Sequence, residues 1–106
     1  MFHKNLQEQW FEMSLAEQMG NIGSEVGRAA KTENQNPERF WGAVERALEL
    51  FDLTLADERW RGRLKEIGRA REVFCDAVLG GHEYNSFLPD LERYFMLFAL
   101  LARSRV

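Results

Sequence analysis

The chain of 106 residues has the length of a single domain. With 45% hydrophobic and 12% aromatic residues it can bury a core, which excludes a disordered chain. The formal net charge of −3 provides no general attraction to nucleic acid or to an anionic membrane, so we expect neither as a partner. The single cysteine, Cys75, excludes an internal disulfide and fits a reducing cytoplasm.

Targeting and membrane segments are not indicated. The N-terminal stretch MFHKNLQEQWFE is too polar for a signal peptide. The longest apolar run, YFMLFALLA from Tyr94 to Ala102, has nine residues, whereas a membrane-spanning helix needs about 20. We therefore expect a soluble cytoplasmic protein.

The apolar pattern predicts an all-α fold. No segment alternates with the two-residue period of a strand, whereas four segments carry helical periodicity. Residues 1–106 are expected to form one domain, with a four-helix bundle over 14–106 and an N-terminal arm or short helix over 1–13. Within that N-terminal piece Phe2, Leu6 and Trp10 have helical spacing, which fits both alternatives.

The first predicted helix begins after Ser14, which forms a capping-box pattern with Glu17. Its apolar face is formed by Leu15, Met19, Ile22, Val26 and Ala29. Beside that face runs a stripe of small residues: Ala16, Gly20, Gly23, Gly27 and Ala30. Each mid-helix glycine costs roughly 0.5–1 kcal/mol relative to alanine, so close approach of a neighbouring helix to the three glycines is the expected compensation. A ligand over the bare backbone is the alternative, although no phosphate-loop motif is present.

The second predicted helix begins at NPERF, with Asn36 as N-cap and Pro37 in the first helical position, and extends to about Ala56. Its buried face is formed by Phe40, Val44, Ala47, Leu48, Phe51 and Leu55. An acidic strip runs along one edge of that face and comprises Glu45, Glu49 and Asp52.

The third predicted helix is capped by Asp57 and ends at Gly80-Gly81. Its core positions are Trp60, Leu64, Ile67, Phe74 and Val78. Arg71 projects among these positions, and a charge on a core face is costly unless it is paired. We expect Arg71 to form a buried ion pair with Glu45, Asp52 or Glu25; the alternative is an anion-binding residue in a cleft.

The fourth predicted helix begins at Ser86 or Leu88 and is apolar around most of its circumference. One face, expected to close the bundle, contains Leu91, Tyr94, Phe95, Phe98 and Leu101. The other contains Met96, Leu97 and Leu100, with Ala99 at its flank. A helix that is apolar on all sides needs more cover than a four-helix bundle provides, so we expect a homodimer through this second face. The alternatives are that the N-terminal arm, with Phe2, Leu6 and Trp10, folds over this face, or that a different protein covers it.

Motifs with catalytic chemistry are incomplete. The segment ELFD, preceded by Glu45, resembles half of the carboxylate signature of the all-α nucleotide pyrophosphohydrolases, but the other half is missing. His82 and Tyr84 in GGHEY resemble half of the HEPN ribonuclease motif, whose arginine is absent at the required spacing. Cys75 has no nearby histidine or second cysteine and is interpreted as a structural thiol. We therefore predict no catalytic residue, no metal site and no cofactor.

The whole chain resembles a family of small, all-helical prokaryotic proteins of unknown function. The resemblance is carried by SLAEQMGNIGSEVGRA, ALELFDLTLAD, RGRLKEIGRAREV and DLERYF. It implies a helical fold and a prokaryotic origin but no reaction. The expected function is that of a non-enzymatic interaction or oligomerisation protein; the alternative is a nucleotide- or nucleic-acid-processing enzyme of the two kinds above.

Overall fold

A computed structural model describes residues 5–81 and 87–104, and all regular structure in these ranges is helical. Five α-helices follow one another: α1 (Leu6–Trp10), α2 (Leu15–Thr32), α3 (Pro37–Leu55), α4 (Leu64–Val78) and α5 (Leu88–Ser104). Four of them are long and form the predicted all-α bundle, and the N-terminal piece contributes the short helix α1. No described helix is both long and apolar enough to cross a membrane.

The predicted caps begin α2 and α3. The Ser14 hydroxyl accepts from the Glu17 amide at 3.1 Å, and the Glu17 carboxylate accepts from the Ser14 amide at 2.9 Å. The Asn36 side chain accepts from the Arg39 amide at 3.1 Å, with Pro37 in the first turn. These side chains satisfy N–H groups that have no partner within the helix, so the sequence determines both helix starts locally.

The third predicted helix starts later than expected. Asp57 caps a 3-10 helix, Glu58–Arg63, in which Trp60 has non-helical angles (φ −102°, ψ 20°), and α4 begins only at Leu64. The assignment of Trp60 and Leu64 to one buried helical face is therefore wrong: Trp60 is half-buried and Leu64 is 40% exposed. At the other end, Gly80 and Gly81 adopt positive φ angles and end the helix as expected.

The helix α2 is central, because it packs against both α3 and α5. The rings of Phe51 on α3, Phe74 on α4 and Phe95 on α5 join these helices, with Phe51 centred 5.9 Å from each of the other two. All three rings are fully buried. The largest other buried apolar side chains are Trp10, Met19, Ile22, Val26, Ile67 and Leu88.

The face of α5 that closes the bundle is narrower than expected. Leu91 and Phe95 are buried, but Leu101 is 44% exposed and does not close the bundle. Ala99, expected beside the exposed face, instead faces α2 at Gly20. The helix is thus rotated toward α2, because the bare glycine backbone of α2 accepts Ala99 and Phe95 at close range.

Candidate functional site

The three glycines of α2 lie directly against α5. A Cβ added at Gly20 would lie 3.2 Å from Ala99 Cα, and one added at Gly23 would lie 2.5 Å from Phe95 Cβ. At Gly27 the added atom would lie 2.7 Å from Glu92 Oε2. These positions are occupied by α5, so the backbone of α2 here is a helix-packing surface.

The opposite side of α5 carries exposed apolar side chains. The side chains of Met96, Leu97 and Leu100 are 53%, 65% and 52% exposed, and that of Leu101 is 44% exposed. Together these four residues, named here the α5 patch, expose roughly 400 Å², which is in the range of the largest apolar patch on a monomer, often a functional one. Beside Leu101 a shallow hollow of about 240 Å³ is lined in part by Leu15, Trp60 and Phe98.

Arg71 pairs with one of its three candidate partners. Its Nε donates to Asp52 Oδ1 at 3.0 Å, and its Nη1 lies 3.9 Å from Cys75 Sγ. The expectation of a buried pair is wrong, because the side chains of Arg71 and Asp52 are 34% and 62% exposed. The pair lies at the edge between α3 and α4, where the long arginine side chain carries its charge out to water.

Glu25 is buried but pairs with other arginines. Its Oε1 accepts from Arg28 Nη1, and its Oε2 accepts from Arg46 Nε at 3.2 Å, so it joins α2 to α3. Glu45 is exposed and forms no ion pair with Arg71. Of the four candidate ion-pair residues, Arg71 and Asp52 thus pair with each other, Glu25 pairs elsewhere, and Glu45 has no ion pair among the described residues.

No metal site forms in the part of the chain that the structure describes. The acidic strip of Glu45, Glu49 and Asp52 is exposed along α3, and no three described His, Cys, Asp or Glu side chains converge on one point. His82 and Tyr84 lie outside the described residues. Cys75 is a half-buried thiol on α4.

A buried polar network was missed by the sequence analysis. Gln18, fully buried on α2, donates through Nε2 to the Trp10 carbonyl at 2.8 Å and to Asp57 Oδ2 at 3.1 Å. Its Oε1 accepts from Trp60 Nε1 at 2.8 Å. The indole of Trp10 donates to Thr54 Oγ1 at 2.9 Å. Both the amide nitrogen and the amide oxygen of Gln18 are hydrogen-bonded. The side chain therefore joins α1, α2 and the 3-10 helix without the free-energy cost of a buried polar group that lacks a partner.

Asp57 and Arg59 complete the network at the surface. The Arg59 guanidinium donates to both carboxylate oxygens of Asp57, at 3.0 and 2.7 Å, and to the Met13 carbonyl at 2.7 Å. The hydrogen bond from the Arg59 side chain lowers the pKa of Asp57, with Gln18 adding to the effect and burial opposing it. The guanidinium also lies 4.5 Å from the centre of the Trp60 ring. Arg59 thus links the N-terminal segment to the start of the 3-10 helix.

The sequence contained a signal for the buried polar side chains of α2. Gln18 and Glu25 occupy the same helical face as Leu15, Ile22 and Ala29, at spacings of three and four residues. A polar side chain at such a position needs a buried partner, and both residues have one in the structure.

An open cleft of about 1140 Å³ lies between the C-terminal half of α2 and the N-terminal half of α3. Four cationic side chains line it, together with the half-exposed ring of Trp41. They are Arg28, Lys31, Arg39 and Arg46. No sequence motif predicts this cleft, because its residues come from two helices.

Comparisons of the chain with protein-family models, with curated proteins and with solved structures found no match in any of the three.

Proposed function

We propose that this protein is a non-enzymatic interaction module that forms a homodimer through the α5 patch. The observation that carries the proposal is the exposure of four large apolar side chains on two successive turns of one helix. Scattered exposed leucines are ordinary on protein surfaces, whereas a contiguous apolar patch of several hundred Å² is often a functional contact site. A chain of this length also buries a smaller share of its surface on folding than a larger domain does, so association adds stability.

The spacing of the patch favours a second copy as its occupant. Met96, Leu97, Leu100 and Leu101 are placed symmetrically about the midpoint between Phe98 and Ala99. An antiparallel second α5 would therefore bring Met96 opposite Leu101 of the other copy, and Leu97 opposite Leu100. A two-fold interface requires this self-complementarity, because the same surface serves both sides.

The area of the patch indicates how far the interface extends. A stable interface buries about 800 Å² on each partner, roughly twice what the four side chains expose. The hollow beside Leu101, with Leu15, Trp60 and Phe98 in its lining, provides adjoining apolar surface. The interface is therefore expected to include the α2 start and the 3-10 helix as well as α5.

Light scattering during size-exclusion chromatography tests the proposal. The intact chain is expected to elute with the mass of two chains, and Met96→Glu/Leu100→Glu with the mass of one, because each copy would then bury like charges at the interface. Leu79→Glu is the matched control: Leu79 is 73% exposed but lies after α4. A monomeric intact chain, or a dimer that persists in the double variant, would contradict the proposal.

A further inference from the structure

The cleft between α2 and α3 concentrates unpaired cations in a chain of net charge −3. Within the described part of the chain, Lys31 and Arg39 have no ion pair and no side-chain hydrogen bond. Arg28 and Arg46 are 63% and 54% exposed, and Glu25 is their single partner there. The lining holds four cations against the carboxylates of Glu38 and Glu45, and the buried Glu25 neutralises one further charge, so the cleft keeps a net positive charge that attracts an anion.

Glu25 orients the two arginines. The carboxylate is buried and takes only one N–H group from each of them: Nη1 of Arg28 and Nε of Arg46. Arg46 Nη1 then lies 3.6 Å from where a Cβ at Gly42 would stand, over the bare floor of the cleft. Among the described residues the other guanidinium N–H groups of Arg28 and Arg46 have no acceptor, so they can donate to a ligand. A guanidinium held in place also loses less entropy when it binds a phosphate.

Trp41 gives the cleft an aromatic wall. Its indole is 50% exposed and packs edge-on against the buried ring of Phe40, with the ring centres 4.9 Å apart. A half-exposed tryptophan beside arginines is a surface on which a nucleobase can stack. Glu38 and Glu45 line the same cleft and have no ion-pair partner in the described ranges. Their carboxylates can accept hydrogen bonds from hydroxyl or amino groups of a ligand.

We infer that this cleft binds a nucleoside phosphate, with the base against Trp41 and the phosphates between Arg28, Arg46 and the free cations Lys31 and Arg39. The cleft offers three kinds of contact: an aromatic face for the base, oriented N–H donors for the phosphates, and carboxylates that accept hydrogen bonds from hydroxyl or amino groups. The volume, about 1140 Å³, is slightly larger than the about 300–1,000 Å³ of most small-molecule sites, so the cleft has room for a whole nucleoside phosphate. Binding at this cleft uses α2 and α3 and is separate from the α5 patch.

Isothermal titration calorimetry at low salt tests the inference with ATP and GTP, and with adenosine and inorganic phosphate as partial ligands. At least one nucleotide is expected to bind. Adenosine and inorganic phosphate should each bind at least about tenfold more weakly, since each makes only part of the contacts. Trp41→Ala should weaken nucleotide binding roughly fivefold or more through the lost stacking. Lys31→Glu/Arg39→Glu should weaken it by about tenfold or more, and increasingly so at low salt.

The control variant is Arg61→Glu/Lys65→Glu, which changes the net charge equally on exposed residues outside the cleft. It should leave nucleotide affinity within about twofold, because screening weakens distant charges. Binding that the control reduces as much as the cleft variant does, or no binding of either nucleotide, would overturn the inference. Tighter binding of a single-stranded ten-uridine RNA than of ATP or GTP would also overturn it, by assigning the cleft to a nucleic-acid strand.

Discussion

Gly23 of α2 lies beneath Phe95 of α5, so close that a Cβ at Gly23 would stand 2.5 Å from Phe95 Cβ. Carbon atoms do not approach each other this closely without displacement, so only glycine allows the present distance between the two helices. Phe95 itself is fully buried against Phe51 and cannot move outward without opening the core.

Gly23→Ala is therefore expected to destabilise the protein by about 1–3 kcal/mol, as overpacking of a core does. Gly68 supplies the matched control, since it also lies within a helix but has no atom within 4 Å of an added Cβ. Gly68→Ala should stabilise by about 0.5–1 kcal/mol, because alanine loses less backbone entropy. Urea denaturation followed by circular dichroism measures both. Equal effects of the two substitutions would show that α5 yields at Gly23.

The exposure of the Arg71–Asp52 pair predicts a small contribution to stability. Asp52→Asn should cost less than about 1 kcal/mol, because exposed ion pairs contribute little and are screened by salt. Glu25→Gln should cost more, about 1.5–3 kcal/mol, since Glu25 is buried and accepts from two arginines. The free energies of unfolding of the two variants in urea give the comparison. If Asp52→Asn lost more unfolding free energy than Glu25→Gln, the exposed Arg71–Asp52 pair would not be the weaker of the two interactions, and the prediction would be wrong.

Asp57 is expected to make stability depend on pH in the acid range. Because the Arg59 hydrogen bond lowers the pKa of folded Asp57 below its ordinary value, the unfolded state binds the proton more readily. The stabilisation is present above the unfolded pKa of about 3.9 and is lost as the pH falls through the folded pKa. Asp57→Asn should thus destabilise at pH 7 and have a much smaller effect near pH 2.

Urea denaturation of both proteins at several pH values measures this difference. Glu17→Gln is the control, because the hydrogen bonds to Ser14 also lower the pKa of Glu17, at an exposed position. It should change the acid dependence less than Asp57→Asn does, since solvent screens the exposed group. If Asp57→Asn lowered the unfolding free energy by the same amount at every pH, the lowered pKa of Asp57 would not account for the effect. The substitution would then act through packing alone.

Local signals in the sequence determine much of the fold. The capping box at Ser14 and the cap at Asn36 each depend on residues within one turn, and both start a helix where expected. The kink at Trp60 could not be predicted in this way. At the kink the Trp60 indole donates a hydrogen bond to Gln18, which is 42 positions away in the chain, and no local pattern encodes such a contact.

The same distinction applies to the candidate site residues. Helical periodicity placed Arg71 on the core face of its helix but did not determine how deeply it is buried, because a long side chain can lie on a core position and still reach water. Periodicity also identifies Gln18 and Glu25 as polar residues on an apolar face, but it does not indicate which residues they pair with. The cleft depends on the relative position of α2 and α3, which no short motif encodes.

A dimer through the α5 patch predicts a melting temperature that depends on concentration. When unfolding separates two chains, mass action stabilises the dimer as protein concentration rises. From about 2 to about 200 µM the melting temperature of the intact chain should rise by roughly 5 °C or more, the scale set by the unfolding entropy of a small domain. Met96→Glu/Leu100→Glu should melt at one temperature throughout, and Leu79→Glu should follow the intact chain. Scanning calorimetry at both concentrations measures the shift; an intact chain whose melting temperature does not change with concentration would contradict dimerisation in this range.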